Sequence, residues 1–278
     1  MGAIYIGTSG FSYQDWVGSV YPEGLHKSEW LGYYAHQLGF RTCELNFTYY
    51  RLPDPYTLER MAAKVPEGFK FTLKATNTLT HEREQATPEE FERFVAALQP
   101  LIAQEKFGCV LAQFPYSFHA TQENRDFLRR LREGMGELPV VVEFRNARWL
   151  TEETFDLLRR LGLGFCCVDQ PRLKGLIPPI ARATGPVAYV RFHGRNARKW
   201  WEHEEAWERY DYTYSDEELR EWVPKIQGLA EEAEVVYCFA NNHWRGQAVG
   251  TARQLGLLLG GGEQRMVNEW GTNKRINE

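Results

Sequence analysis

Short runs of β-branched and aromatic residues alternate along the chain with longer stretches of helical period. Eight runs have strand character, at residues 3–8, 42–45, 70–74, 109–113, 140–144, 164–168, 187–192 and 235–239. Many of these runs are apolar at nearly every position, which is typical of parallel strands that are buried on both faces. We therefore expect helices between consecutive strands to cover the sheet.

The segments between the predicted strands carry signals for helix starts. Residues 87–90 read T-P-E-E and residues 215–218 read S-D-E-E, and both patterns predict a capping box. Further predicted caps are Asp54, Thr121 and Thr151. Pro224 lies inside the helix that follows Ser215 and predicts a kink there.

Eight strands alternating with helices predict an α/β fold of the TIM-like (β/α)8 class, which typically has ~250 residues. We assign residues 1–260 to a single barrel domain, allowing for local irregularity, and residues 261–278 to a polar C-terminal tail. An open doubly wound sheet is the alternative. The first strand, however, ends in Gly7-Thr8-Ser9-Gly10, which is not the G-x-G-x-x-G of a dinucleotide-binding turn.

The composition limits which cellular compartment and which binding partners are expected. The chain has 278 residues with 33 basic and 37 acidic side chains, a net charge of −4, which argues against nucleic-acid binding through bulk charge. No apolar run approaches the ~20 residues of a membrane span, so no membrane partner is predicted. Five cysteines without a C-x-x-C spacing favour reduced thiols in the cytoplasm. The oligomeric state is left open.

Polar and charged residues gather where the predicted strands end, and in a barrel these ends form one mouth. Three pairs of residues two positions apart share a strand face: Glu44 with Asn46, Glu143 with Arg145, and Arg191 with His193. Burying so many charges is unfavourable unless they are paired. The mouth is therefore either a ligand site or a structural network of ion pairs.

If the mouth is a ligand site, general acid/base chemistry is the expected mechanism. The candidate catalytic residues are Glu44, Glu143, His193, Lys74 and Asp169. Either glutamate would serve as the base, and His193 or Lys74 as the acid. The candidate substrate-binding residues are Ser9, Asn46, Tyr50, His81, Gln113, Arg145, Arg191, Arg195, Trp200, Asn241 and Asn242.

No cofactor is predicted and no metal ligands are assigned, because lysine and arginine at the same mouth would repel a cation. The arginines can instead fork onto phosphate or carboxylate oxygens. The loops after strands seven and eight are where barrels often bind phosphate. The aromatic segment 196–214 is long for such a loop, and its rings either stack on a ligand or pack on the rim.

Several motifs resemble the domain-of-unknown-function 72 (YecE-like) family. They lie at residues 6–13, 15–16, 21–22, 44–46, 50–53, 71–75, 80–81, 113–115, 143–145, 190–195 and 239–242. The resemblance spans roughly residues 4–260 and implies a TIM-like barrel. It implies no particular activity, since the function of the family is not established.

Three hypotheses follow from these patterns. The favoured one is an enzyme, of the hydrolase or lyase type, that acts on a phosphate- or carboxylate-bearing substrate at the barrel mouth. The second is a nucleic-acid-binding or metal-dependent endonuclease-like barrel, which rests on fold analogy. The third is a ligand-binding protein without turnover. The expected partner is a small-molecule or nucleic-acid-derived anionic ligand.

Overall fold

A computed structural model describes residues 1–260, in which eight parallel strands form a closed barrel in sequence order. The strands are β1 Ala3–Ser9, β2 Thr42–Leu45, β3 Lys70–Lys74, β4 Phe107–Gln113, β5 Val140–Glu143, β6 Leu163–Asp169, β7 Val187–Phe192 and β8 Val235–Ala240. The ring closes where β1 pairs with β8. The predicted fold class is confirmed, and each observed strand overlaps its predicted run.

Helices surround the barrel. They are α1 Trp30–His36, α2 Pro55–Ala62, α3 Asn77–Thr80, α4 Pro88–Ala97, α5 Gln99–Ala103, α6 Gln122–Met135, α7 Glu152–Arg160, α8 Asp216–Arg220, α9 Val223–Glu232 and α10 Gln247–Leu259. Short 3-10 turns lie at Gln14–Trp16, Lys27–Glu29, Phe47–Tyr49, Arg83–Gln85, Ala147–Trp149, Ala206–Tyr210 and Trp244–Gly246. No helix separates β6 from β7, so the barrel is irregular at that connection.

The predicted helix starts are largely found. Ser215 forms both halves of its capping box, whereas Thr87 caps α4 by accepting from the Glu90 N–H alone. Asp54, Thr121 and Thr151 each accept a backbone N–H at the start of their helix. The kink expected at Pro224 is instead a break, because the proline lies in the first turn of a separate helix, α9.

The barrel interior is lined by polar side chains near the mouth, at the carboxyl ends of the strands, and by aromatic side chains farther from it. Tyr5 and Tyr237 lie with ring centroids 5.4 Å apart, and Tyr189 and Phe239 lie 5.2 Å apart. A second apolar layer fills the space between the strands and the helices. Within residues 1–260, no helix is long and apolar enough to cross a membrane. The predicted tail at 261–278 lies outside the described residues.

Candidate active site at the barrel mouth

Three side chains from distant strands meet inside the barrel. Arg191, on β7, donates from Nη2 to Oε1 of Glu44 on β2 at 2.7 Å and from Nη1 to Oε2 of Glu143 on β5 at 2.8 Å. All three side chains are buried. Strand alternation thus places these residues on one face, as the sequence predicts. We call Glu44, Glu143 and Arg191, with the groups that bond to them, the inner cluster.

The second oxygen of Glu44 is also bonded. The hydroxyl of Tyr189 donates to Oε2 of Glu44 at 2.7 Å, and the hydroxyl of Thr72 lies 2.8 Å from that of Tyr189. Since Tyr189 gives its proton to the carboxylate, Thr72 is the donor in the second bond. Both oxygens of the buried carboxylate therefore have partners.

Glu143 accepts from more groups than Glu44 does. Its Oε1 lies 2.9 Å from Nη2 of Arg145 and 3.1 Å from Nε2 of His193, in addition to the Arg191 bond at Oε2. Burial alone would raise the pKa of Glu143, but the surrounding cations and the imidazole outweigh it and hold the pKa well below its usual range. Glu143 is an ionised carboxylate with little remaining capacity to accept a proton.

His193 is fixed at both ring nitrogens. A carboxylate only accepts, so Nε2 donates to Glu143, and Nδ1 accepts from the Asn241 side-chain amide at 2.9 Å. Burial, and then the charge of Arg145, lower the pKa of His193 to about 3. The imidazole is neutral, and its two bonds orient it within the inner cluster.

Lys74 ends β3 beside the inner cluster and differs from its neighbours. Its ammonium lies 4.1 Å from the centroid of the Tyr49 ring, and within residues 1–260 it forms no ion pair or hydrogen bond. Burial lowers the pKa of Lys74 to about 7, with a further contribution from the charge of Arg191. At neutral pH this amine exists in both protonation states.

His81 lies against the same tyrosine, with ring centroids 5.0 Å apart. The Thr80 hydroxyl donates to the Thr76 carbonyl at 3.0 Å, so at 3.0 Å it accepts from Nδ1 of His81. This arrangement leaves a lone pair on Nε2. Burial, and then the nearby charge of Lys74, lower the pKa of His81 to about 4. His81 is therefore a neutral imidazole whose Nε2 has no hydrogen-bond partner in the described part of the chain.

Three buried polar atoms at the mouth have no hydrogen-bond partner within residues 1–260. They are Oγ of Ser9, Oδ1 of Asn46 and Nε of Arg191. Their strands adjoin or face one another, since β1 pairs with β2 and Arg191 reaches Glu44. Unpartnered buried polar atoms are unfavourable, so these atoms mark a position where a polar ligand would gain hydrogen bonds.

The aromatic segment 196–214 packs over part of the mouth. Trp200 is buried, with its ring centroid 6.3 Å from that of His193 and 5.9 Å from the Arg145 guanidinium carbon. Trp207 stacks on Trp244 with centroids 3.7 Å apart, which fastens the segment to the loop after β8. Trp200 and Trp207 thus pack on the rim of the barrel, which is one of the two alternatives that the sequence left open for this segment. Trp200 also borders the inner cluster.

Asp169 and Arg195 form a separate cluster outside the barrel. Asp169 accepts from Nε and Nη2 of Arg195 at 2.8 and 2.7 Å, from the Tyr214 hydroxyl at 2.7 Å and from Nε1 of Trp222 at 2.7 Å. We call these four residues the outer cluster. Cys166 contacts Glu143 inside the barrel, so Asp169, three positions later, points to the helix side. The expectation that Asp169 and Arg195 share the mouth with Glu44 and Glu143 is therefore corrected.

Three other predicted binding residues do not reach the inner cluster. Asn242 faces outward and donates to the Tyr212 carbonyl and the Thr251 hydroxyl. Tyr50 is 80% exposed. Gln113 faces inward, but its amide donates to the carbonyl of the next residue at 2.7 Å. Adjacent strand residues point to opposite faces, so Asn241 and Asn242 could not both face the mouth.

The loop after β8, one of the two loops where the sequence predicts phosphate binding, already has an internal anionic partner. The backbone N–H of Arg245 donates to the carboxylate of Asp15 at 2.6 Å. A phosphate there would compete with this carboxylate and be repelled by it. Within residues 1–260 the cation at the mouth that has no partner is instead Lys74, at the end of β3.

The residues that would hold a metal ion are otherwise engaged. Residues 1–260 contain no group of three or more His, Cys, Asp or Glu side chains arranged to hold a metal ion. The oxygens of Glu44 and Glu143 accept from arginines and a tyrosine instead. The donor set needed by a metal-dependent endonuclease is therefore not assembled in this part of the chain.

Sequence reasoning missed Tyr189, Thr72 and Cys166. Two of them precede a predicted strand-end residue on the same inward face: Tyr189 lies two positions before Arg191, and Thr72 two positions before Lys74. Extending the alternation one step toward the strand start would have found both. Cys166 lies in a strand that is apolar on both faces, so no pattern marks its inward position.

The fold and the mouth together define a (β/α)8 barrel with a buried, charged site at the carboxyl ends of its strands. The sequence profile described as "Protein of unknown function DUF72" matches residues 5–275, and the chain belongs to this family. The resemblance noted from the motifs is confirmed.

Relatives span nearly the whole chain. The UPF0759 protein YunF of Bacillus subtilis (strain 168) is 31% identical over 271 residues, covering 92% of this chain and 94% of that protein. The crystal structure of a DUF72 family protein from Thermotoga maritima is 43% identical, with a TM-score of 0.86 over 92% of this chain and 99% of that one. A DUF72 family protein from Enterococcus faecalis is 25% identical, with a TM-score of 0.81 over 99% and 100% of the two chains.

Proposed function

We propose that this protein is an enzyme that acts on a carboxylate- or phosphate-bearing small molecule by general acid/base chemistry at the barrel mouth. The observation that carries the proposal is the uneven pairing of charges there. Three cations, Lys74, Arg145 and Arg191, accompany two buried carboxylates, and within residues 1–260 the lysine is the cation without a partner.

The paired and unpaired groups suit different tasks. Glu44 and Glu143 have every oxygen bonded, and His193 has both nitrogens bonded, so these groups position their neighbours. Lys74, with a pKa of about 7, can gain or lose a proton at neutral pH. His81 adds a free imidazole nitrogen. We therefore assign proton transfer to Lys74 and His81.

The charge of the mouth sets the substrate class. An anionic group would neutralise the surplus cation and could also accept from Nε of Arg191 and the hydroxyl of Ser9, which have no other partner among the described residues. Desolvation of the site by Trp200 strengthens such interactions. A neutral or cationic ligand would leave the surplus charge uncompensated.

A thermal-shift panel tests the proposal. The probes are phosphate, glycerol phosphate, malate and citrate near neutral pH, measured against the wild type and Lys74→Met. We expect at least one probe to raise the melting temperature of the wild type and to lose most of that effect in the variant. Lys70→Met is the matched control, since Lys70 lies at the opposite end of the same strand and donates to the Glu105 carbonyl.

Two outcomes would contradict the proposal. Either no anion stabilises the wild type, or the stabilisation is the same in Lys74→Met. For a probe that does bind, nuclear magnetic resonance of the incubated ligand then tests turnover. Binding by the whole panel and its phosphorylated and carboxylated analogues without any conversion would identify a binding protein and refute the enzyme assignment.

The cytoplasm is the compartment we propose. Cys43, Cys109, Cys166, Cys167 and Cys238 are all buried, free thiols. Burial raises the pKa of each thiol, which makes them inert packing groups. A reducing environment is consistent with thiols of this kind.

A further inference from the structure

Lys74 is the cation that the ion pairs of the inner cluster do not neutralise. Arg191 and Arg145 bond to Glu143, and Arg191 and Tyr189 take the two oxygens of Glu44. No carboxylate oxygen is left without a donor, so a protonated Lys74 adds a positive charge that nothing beside it neutralises. Releasing its proton is the change that balances the cluster.

A neutral amine held in this way is a nucleophile. Its nitrogen carries a lone pair, and it lies 4.1 Å above the Tyr49 ring, without a hydrogen bond among the described residues that would occupy the lone pair. Lysines placed beside other cations are the ones that form covalent imines with carbonyl compounds. An arginine could not replace Lys74, because its guanidinium does not deprotonate in proteins.

We infer that Lys74 forms an imine with an aldehyde or ketone that also carries a carboxylate or phosphate group. This inference rests on the proposed function and narrows the substrate to a carbonyl compound. The anionic group lies toward Arg145 and the unpartnered Nε of Arg191, and the carbonyl carbon lies at Nζ of Lys74.

The step conserves atoms and electrons. Nζ of Lys74 attacks the carbonyl carbon and a C–N bond forms while the C–O π bond breaks. Both protons of the amine pass to the carbonyl oxygen, which leaves as water when the C=N bond forms. Nε2 of His81 can carry these protons, because it holds a lone pair and because the ring lies against the same tyrosine as Lys74. No oxidant or reductant takes part.

The charged groups that face Lys74 either favour the neutral amine or are themselves neutralised. Arg191 on β7 and Arg145, two residues after the end of β5, lower its pKa, and Glu44 and Glu143, which oppose them, are already paired. Tyr49 and His81 carry no charge at neutral pH. Burial contributes most to the shift, which brings the pKa of Lys74 to about 7.

Borohydride trapping tests the inference. The full-length protein is incubated near neutral pH with pyruvate, glyoxylate or glyceraldehyde 3-phosphate, and sodium borohydride reduces any imine to a stable secondary amine. We expect one adduct per chain, located at Lys74 by peptide mass spectrometry. A lysine with the ordinary pKa of ~10.4 has a neutral fraction at neutral pH lower by a factor on the order of 1,000, and labelling elsewhere should be correspondingly weak.

Two variants sharpen the result. Lys74→Arg keeps a positive charge but cannot form an imine, so it should lose the adduct. Lys70→Met should keep the adduct at Lys74. The pH dependence of trapping should show a midpoint of about 7, because the neutral amine is the reacting form.

The inference is overturned if no probe labels Lys74, or if adducts spread evenly over the surface lysines of the folded protein. Its failure is distinguishable from that of the proposed function. If anions stabilise the wild type through Lys74 but no adduct forms, the imine is wrong and the acid/base proposal stands. If neither is observed, both are wrong.

Discussion

The inner and outer clusters are built from the same side-chain types but are balanced differently. In the outer cluster Asp169 meets Arg195, Tyr214 and Trp222, and both carboxylate oxygens and the arginine are fully bonded. In the inner cluster the carboxylates are just as well bonded, yet Nε of Arg191 and the ammonium of Lys74, which lies beside the cluster, have no hydrogen-bond partner within residues 1–260. The difference teaches that a complete set of bonds is compatible with a purely structural role, whereas an unpartnered group beside such a set is where we propose that a ligand reacts.

The largest expected effect comes from Arg191→Met. The substitution leaves Glu44 and Glu143 buried without the guanidinium that separates them, which costs about 3–5 kcal/mol when one partner of a buried ion pair is removed. Urea unfolding measures the loss. Arg198→Met, at an exposed arginine without an ion pair in residues 1–260, is the control. A loss no larger than that of the control would show that the inner cluster does not hold the barrel together.

Asp169→Asn should cost less, about 2–3 kcal/mol, because the amide keeps one acceptor but turns its NH2 toward the donors of Arg195 and Trp222. Asp126→Asn, at an exposed surface pair with Arg129, should change stability by less than ~0.5 kcal/mol. Anion binding and imine trapping should be unchanged in both variants. If Asp169→Asn abolished either, the outer cluster would belong to the active site after all.

The third prediction concerns pH and His193. The pKa of this buried imidazole is about 3 in the fold and ~6.5 in the unfolded chain. Below about pH 6.5 the unfolded chain therefore binds a proton that the fold does not, so stability is complete above that pH and falls as the pH drops toward about 3. Between about pH 7 and pH 5 the histidine should account for a loss of about 2 kcal/mol.

Urea unfolding of wild type and His193→Gln at these two pH values measures that contribution. The variant should lose less stability on acidification than the wild type. His36→Gln, at an exposed histidine, should retain the wild-type dependence. Equal acid sensitivity in wild type and His193→Gln would mean that the imidazole is not held neutral in the fold.

The smallest expected effect is a gain of stability, in Lys74→Met, rather than a loss. The pKa of Lys74 is lowered to about 7 from ~10.4, so the fold disfavours the charged lysine and wild-type stability decreases as the pH falls from about 10 through 7. Because the side chain is partly exposed, we expect Lys74→Met to gain only about 1 kcal/mol at neutral pH. The same unfolding assay, with Lys70→Met beside it, checks the sign. A clear loss of stability would identify Lys74 as a structural cation.

The sequence predicted the barrel well because its signals are local and repeated. Strands buried on both faces, separated by capped helices, leave few alternative topologies. The break before α9 was expected only as a kink. Trp222, the residue just before α9, packs against Phe192 with ring centroids 5.5 Å apart. Helical periodicity does not reveal a contact of this kind between distant parts of the chain.

The site was harder to predict, and the errors share one cause. Alternation shows which residues lie together on a face, but β6 is apolar at every position before Asp169, so its pattern does not show which face is inward. Asp169 was placed in the mouth for that reason. Arg195 has the same parity as Arg191 and His193, but Gly194 has a φ of +86°, and this left-handed residue ends the strand alternation before Arg195.

The span of Arg191 across the interior also bears on the order in which the barrel folds. Its two carboxylate partners belong to β2 and β5, so strands from the early, middle and late parts of the chain are joined at one guanidinium. Until β7 docks, both carboxylates retain water, since neither is stable in a dry interior alone. Ring closure and dehydration of the interior therefore coincide, and a fragment that stops before β7 would have a wet, open centre.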